Sequence, residues 1–173
     1  MKNDKRNGKG IFYYKDGDKY DGEWSNNKKD GIGIYYFKDG DRYEGEWRND
    51  KKDGKGIYYY KDGDKYEGDW KNGERNGRGI YYYNDGDKYE GDWKNDKRNG
   101  KGIFFFNNEL FKGRRYEGEF KNDKKEEKGI FYYNNGDIYV GEFKNGKKEG
   151  KGIFIIIMVI YMMGNGKIIK EKE

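Results

Sequence analysis

Short runs of aromatic and aliphatic residues alternate with polar punctuation along almost the whole chain. In residues 8–24, GKGIFYYKDGDKYDGEW, two such runs flank Asp16-Gly17-Asp18. Asp-Gly between two β-prone runs is a strong hairpin signal, because Gly supplies positive φ at little steric cost. The pattern predicts a first strand over 10–15, a second over 19–24, and a polar connection over 25–30 that leads to the next hairpin. Side chains alternate across a strand. Gly8, Gly10, Phe12 and Tyr14 therefore share one face, and Tyr20, Gly22 and Trp24 share one face of the following strand. The expectation is a packed face on which aromatic rings lie in troughs left by glycines, with the intervening Lys, Asp and Glu in water.

This unit recurs. An aromatic-x-Gly-acid-aromatic motif appears at Tyr20/Gly22/Trp24, Tyr43/Gly45/Trp47, Tyr66/Gly68/Trp70, Tyr89/Gly91/Trp93, Tyr116/Gly118/Phe120 and Tyr139/Gly141/Phe143. Successive starts lie 23, 23, 23, 27 and 23 residues apart. Gly-x-Gly pairs keep step at Gly8/Gly10, Gly31/Gly33, Gly54/Gly56, Gly77/Gly79, Gly100/Gly102 and Gly150/Gly152, while Glu127 stands where a glycine should precede Gly129. A fixed period of this length means that each unit is one supersecondary element, stable mainly through its neighbours. The fold expected is all-β, an elongated single-layer meander of stacked β-hairpins. Residues 1–152 form an array of about six repeats that starts mid-repeat. An insertion lies near 107–113, and Leu110-Phe111 sits close to its tip.

The opposite face of the first strand is also apolar. It carries Ile11/Tyr13, Ile34/Tyr36, Ile57/Tyr59, Ile80/Tyr82, Ile103/Phe105 and Ile130/Tyr132, which in register make two ladders. One reading is a docking or dimerisation face, for which Ile34, Tyr36, Ile57, Tyr59, Ile80 and Tyr82 are the candidates. The other is that Ile and Tyr simply suit strands. The chain lacks Ala, Thr, Pro, Gln and His, whose codons all need C, so an AT-rich gene also favours Ile and Tyr.

Composition narrows the function. Hydrophobic residues make up 32% and charged residues 41%, which alone would suggest disorder, but 19% aromatics supply large buried areas. There is no Cys and no His, so disulfides, thiolate metal sites and the commonest general base are excluded. The repeated Asp-Gly-Asp segments lack the spacing of an EF-hand loop. Paired acids such as Glu44/Glu46 recur in every unit, as solubilising residues do and a catalytic pair would not. The expectation is a protein that is not an enzyme, with no cofactor, no metal, no nucleic acid and no small-molecule substrate. The opening residues do not read as a signal peptide, and no run reaches the roughly 20 apolar residues of a membrane helix, so a cytoplasmic location is expected.

Basic pairs punctuate the connections between hairpins: Lys28-Lys29, Lys51-Lys52, Lys97-Arg98, Lys124-Lys125 and Lys147-Lys148, with Arg75 in the same place. Spaced about 10 Å apart, they would line one edge with a cationic stripe. Such a stripe suits an anionic membrane surface or an acidic partner. It equally suits a solvated edge guarded against strand pairing, and a net charge of +5 leaves that reading the simpler one.

The pattern resembles the MORN (membrane occupation and recognition nexus) repeat. The hallmark Tyr-x-Gly-x-Trp, then Gly-x-Gly, then Asp-Gly matches Tyr20, Gly22, Trp24, Gly31, Gly33, Asp39 and Gly40, and it recurs through Gly152. The resemblance implies a non-catalytic array serving as a scaffold in cytokinesis or budding structures, at membrane junctions, or beside lipid kinases and methyltransferases. It implies protein partners and self-association, with anionic phospholipid binding as the alternative.

Residues 153–173 break the pattern, opening with eleven apolar residues, Ile153 to Met163, followed by a charged tail. Read two bases out of frame with A/T-ending codons, this stretch spells another repeat, with its aromatic 23 residues after Tyr139. Two readings stay open: a strand-like apolar end that is sticky or dimerising, and a frameshifted seventh repeat.

Overall fold

A computed structural model describes residues 5–157, 161–163 and 167–169. Thirteen antiparallel strands follow one another in chain order in a single sheet. They are β1 Gly8–Tyr13, β2 Lys19–Ser25, β3 Lys28–Tyr36, β4 Arg42–Arg48, β5 Lys51–Tyr59, β6 Lys65–Lys71 and β7 Glu74–Tyr82, continuing as β8 Lys88–Lys94, β9 Lys97–Phe106, β10 Arg114–Lys121, β11 Lys124–Tyr132, β12 Ile138–Lys144 and β13 Lys147–Ile155. Tyr161–Met163 and Lys167–Ile169 pair as a separate small hairpin, β14 and β15. The expected single-layer meander is present. The rest of the tail lies outside the described residues.

Three local features differ from the expectation. The polar connection over 25–30 is not a loop, because β2 and β3 continue to a two-residue turn, Asn26-Asn27, with φ of 50° and 71°. Positive φ at both central residues is the signature of a type I′ turn, which Asn and Asp tolerate best after Gly. Asn49-Asp50 and Asn95-Asp96 repeat it. Both ends of every inner strand are therefore hairpin turns.

The second difference concerns the Gly-x-Gly pairs. Between Gly22↔Gly33 and Trp24↔Lys29 the register slips, so that residues 30–32 stand opposite Glu23 alone. Gly31 sits in this bulge at φ 106°, and only Gly33 of the pair faces the rings. The Glu23 carboxylate fills the space above Gly31 and accepts the Ile32 amide at 3.2 Å. Glu46, Asp69 and Asp92 do the same for the amides of Lys55, Arg78 and Lys101, each at 2.9 Å. The bulge explains why simple alternation misplaced the first glycine.

The rings that cover one face form the core. Tyr20, Tyr43, Tyr66, Tyr89 and Tyr116 are wholly buried. The Tyr20 ring lies over Gly22 and Gly33, where any Cβ would collide with it. Its hydroxyl donates to the Glu23 carbonyl at 3.0 Å, and the Trp24 indole donates to the Gly10 carbonyl at 3.2 Å. Tyr20 meets Trp24 edge-on at 5.1 Å and Trp47 of the next repeat at 5.5 Å. Edge-to-face pairs add about 0.5–1.5 kcal/mol each beyond the area they bury. A thin sheet thus gains a core by stacking each repeat on the next.

The third difference lies in the last two repeats, where the sequence puts Phe120 and Phe143 on a par with the tryptophans. As packing they are equivalent: both are buried, and they meet Tyr116 edge-on at 5.2 and 4.9 Å. As hydrogen-bonding residues they are not. Trp24, Trp47, Trp70 and Trp93 each donate an indole N–H to a glycine carbonyl at 3.2 Å. A phenyl ring has no donor, so Phe120 and Phe143 hold their place by shape alone. Tyr139, beside Phe143, is only part-buried, unlike the five tyrosines before it.

Candidate functional site: the two faces of the sheet

The aromatic face is closed. Beside the buried tyrosines a second file of rings, Tyr14, Tyr35, Phe37, Tyr58, Tyr60 and their successors, runs on with centroids 4.5–5.7 Å apart. Tyr35 donates to Asp18 at 2.6 Å, Tyr58 to Asp41 at 2.6 Å and Tyr81 to Asp64 at 2.7 Å. In the sequence these aspartates read as turn residues. Their other signal is a tyrosine 17 positions further on. Burial first, and then the bonded carboxylate, pushes the Tyr35, Tyr58 and Tyr81 hydroxyls far above the usual tyrosine range.

The basic pairs divide between the two faces. A two-residue turn sends consecutive side chains opposite ways, so Lys29 turns onto the rings, 4.2 Å from Tyr35 and 4.4 Å from Trp47. Lys52 lies 3.9 Å over Trp70, Lys125 is 5.0 Å from Phe131, and Lys148 is 4.5 Å from Tyr139. Arg75 and Arg98 do likewise, at 4.5 Å from Trp93 and 5.4 Å from Phe104. Burial holds the ammonium groups of Lys52 and Lys125 down to about 8. Lys28, Lys51, Lys97, Lys124 and Lys147 are exposed. Of the ten residues read as a cationic edge, these five face solvent, while Lys29, Lys52, Arg98, Lys125 and Lys148 are engaged by rings.

On the opposite face the two expected ladders also part. Tyr36, Tyr59 and Tyr82 each lie under a cation, Lys19 at 3.9 Å, Arg42 at 4.2 Å and Lys65 at 4.2 Å. Arg42 and Lys65 also pair with Glu44 at 3.1 Å and Glu67 at 3.3 Å. The tyrosine ladder is therefore roofed by charge. The isoleucine ladder stays open: Ile57 and Ile80 line a trough of about 440 Å³, with Lys55 and Arg78 on its far wall. Glycine backbone forms the floor, since Gly56 and Gly79 carry nothing on this side. A larger trough of about 900 Å³ continues it, lined by Ile103, Ile130, Val140 and Ile153 on one side and by Lys101 and Lys128 on the other.

Two irregularities interrupt the array. Asp87 faces Phe104, which has no hydroxyl to offer; beside the Asn107 amide at 2.8 Å, which has its counterpart in the other repeats, it takes the Asn108 amide at 3.0 Å. That bond anchors the insertion, at whose tip Leu110 is 81% exposed. Glu127 adopts φ 56° in the bulge where its counterparts are glycines. Among the described residues no group of three or more His, Cys, Asp or Glu is placed to hold a metal, and no helix is long and apolar enough to cross a membrane.

No curated protein sequence matches the chain. Among solved structures it is similar to the TCP domain of SAS-4 (dCPAP) from Drosophila melanogaster, solved with a proline-rich motif of Ana2 (dSTIL). That likeness has 15% identity and a TM-score of 0.47, and covers 94% of this chain and 83% of the other. It is also similar to the G-box domain of CPAP, at 12% identity, TM-score 0.37 and coverage of 96% and 99%. A mutant TCP10 domain of Danio rerio CPAP matches at 14%, TM-score 0.34, and 94% and 87%. Likenesses this remote say nothing of what this chain binds. The MORN repeat model matches residues 1–19, 20–42, 43–65, 66–88, 89–110, 116–138 and 139–156, counting partial units that the sequence reading left out of its six. With matches covering nearly its whole length, the chain belongs to the MORN repeat family.

Proposed function

We propose that the protein is a non-catalytic scaffold whose open face docks a protein segment and which also self-associates, as an element of cytoplasmic or cytoskeletal structures. One observation carries this reading: one face buries its rings, while the other leaves a continuous trough walled by isoleucines and charges. Apolar surface left open in this way on an ordered sheet usually has a partner.

A photo-cross-linking residue placed at Ile80, in the trough, and at Lys38, on the turn edge, tests it in the source cells. The reading requires a discrete protein partner labelled from Ile80, not from Lys38, and lost on Ile57→Lys. Equal labelling from both positions, or none, overturns it. Light scattering of the purified chain tests self-association, and a monomer at all concentrations removes that part.

A second reading, peripheral binding of anionic phospholipid, is favoured by the exposed Lys28, Lys51, Lys97, Lys124 and Lys147. Salt-sensitive co-sedimentation with phosphatidylserine vesicles would support it, and absence of sedimentation at low salt would remove it.

A further inference from the structure

The trough is not uniform along its length. In four repeats the cation that roofs the outer ring, a tyrosine or, for Lys88, Phe105, is paired with an acid two residues on: Arg42–Glu44 at 3.1 Å, Lys65–Glu67 at 3.3 Å, Lys88–Glu90 at 3.4 Å and Arg115–Glu117 at 2.8 Å. In β12 the same two places hold Ile138 and Val140, and the aromatic place in β13 holds Ile155. Ile138 pairs with Ile155 and Val140 with Ile153 across the strands, so the three replacements meet at one spot. Val140 is 40% exposed and Ile153 67%. At β12 charge has been removed from one wall of the wider trough.

The other wall keeps its cations over the same repeats. Lys101, Lys128 and Lys151 line the trough. One row further out on this face, lysines stand directly opposite lysines: Lys94↔Lys97, Lys121↔Lys124 and Lys144↔Lys147. Facing like charges cost stability. The neighbouring acids Asp92, Asp96 and Asp123 are held by Arg78, Arg75 and Arg98. Nine lysines are thus left against Glu119, Glu126, Glu127, Glu142 and Glu149, the last reached by Lys144 at 3.8 Å.

We propose that this end of the trough is the docking site for an amphipathic helix of a partner protein, carrying an aliphatic row beside an acidic row. This deepens the docking function proposed above and rests on it. The aliphatic row would lie on Ile130, Ile138, Val140, Ile153 and Ile155, and the acids would meet the lysine rows. The spacing fits: each repeat advances about 10 Å, two strands at about 4.8 Å, and seven residues of helix rise about 10.5 Å. One heptad therefore meets one repeat, in the helix-in-groove mode. A polyproline segment would need exposed ring faces to dock on. On this face Arg42, Lys65 and Arg115 already occupy the rings of Tyr59, Tyr82 and Tyr132.

The test uses the full chain and a fluorescein-labelled 21-residue peptide of three heptads, with leucines on one face and glutamates beside them. Binding is followed by anisotropy. The double variant Ile138→Lys with Val140→Glu restores the pair that the other repeats carry, so it should fold, and circular dichroism checks this. The expected result is saturable binding that weakens at least tenfold in the double variant and on scrambling the peptide, and several-fold in Lys124→Glu with Lys147→Glu. Equal binding of the scrambled peptide overturns the proposal, as does binding unaffected by the double variant. Absence of binding alongside sedimentation with phosphatidylserine vesicles, or absence of both, overturns it as well. If a partner cross-linked from Ile80 is indifferent to the double variant, the docking function stands and this site falls.

Discussion

The Tyr58 hydroxyl donates to the Asp41 carboxylate at 2.6 Å, and the same carboxylate receives the Lys61 amide at 2.9 Å. One aspartate thus ties its own turn to both the ring and the backbone of the next repeat. Asp41→Ala leaves a part-buried hydroxyl and an amide without their acceptor, so a loss of about 1–3 kcal/mol is expected in urea denaturation. Tyr58→Phe, which removes one of the two bonds, should cost about 1 kcal/mol. Asp62→Ala, which removes only a turn bond to the Asp64 amide, should cost least of the three.

Glu127 holds a backbone conformation that its counterparts leave to glycine. Glu127→Gly should stabilise the chain by about 1 kcal/mol or more through relief of that strain. It also allows Glu119 to reach the Lys128 amide, as Glu46 reaches Lys55. The reverse change, Gly54→Glu, should destabilise by more, because the Glu46 carboxylate already occupies the space above it. Thermal melts of the two variants would check the pair, and a lower melting temperature for Glu127→Gly would refute the strain.

Alanine at three glycines should give three different costs. Gly56→Ala drives a methyl into the Tyr43 ring and should cost several kcal/mol, in the range of an overpacked core. Gly73→Ala meets no neighbour but sits at φ 97°, so about 1 kcal/mol is expected. Gly10→Ala has open space and an ordinary φ and should be close to neutral. Urea midpoints in any other order would count against the ring-over-glycine packing.

Stability should rise and then fall as pH increases. The folded chain binds the Lys52 and Lys125 protons less tightly than the unfolded chain, at about 8 against an ordinary value of 10.5. Between those values the unfolded state holds more protons, so stability increases with pH. The buried tyrosines act oppositely: Tyr43 and Tyr66 are pushed by burial well above their ordinary value of 10.0. Their contribution is whole below pH 10 and is lost as the pH climbs towards the folded values. Urea midpoints at pH 7, 9 and 11 should show a maximum at the middle value. Lys52→Met with Lys125→Met should flatten the rise and leave the fall.

Much of this was legible in the chain. The 23-residue beat, the Asp-Gly turns and the Tyr-x-Gly-x-Trp strands gave the meander and five of its buried tyrosines, because hairpins are local and their signals lie within a few residues. Phe120 and Phe143 were legible as rings, but the bond they forgo was not, since its acceptor lies on a neighbouring strand. The bulge at Gly31 was not legible. Three residues opposing one leaves the alternation of either strand intact, and only the pairing shows the slip. The side taken by Lys29 was hidden for a related reason: it depends on whether the chain turns in two residues or in six. The trough was half legible. Ile34, Ile57 and Ile80 stand out together with Tyr36, Tyr59 and Tyr82, but the cations over the tyrosines come from the preceding strand. Ile138, Val140 and Ile155 were passed over because each is unremarkable alone, and they become a patch only when β12 and β13 are laid side by side.

Strand order in this sheet is chain order, and every strand of the array pairs with the one made just before it. Most all-β proteins must wait for distant segments before any sheet can close, and they fold slowly for that reason. Here each hairpin finds its seat already built when it leaves the ribosome. The protein can therefore be laid down like courses of brick, with no inner strand left unpaired for longer than the next repeat takes to arrive.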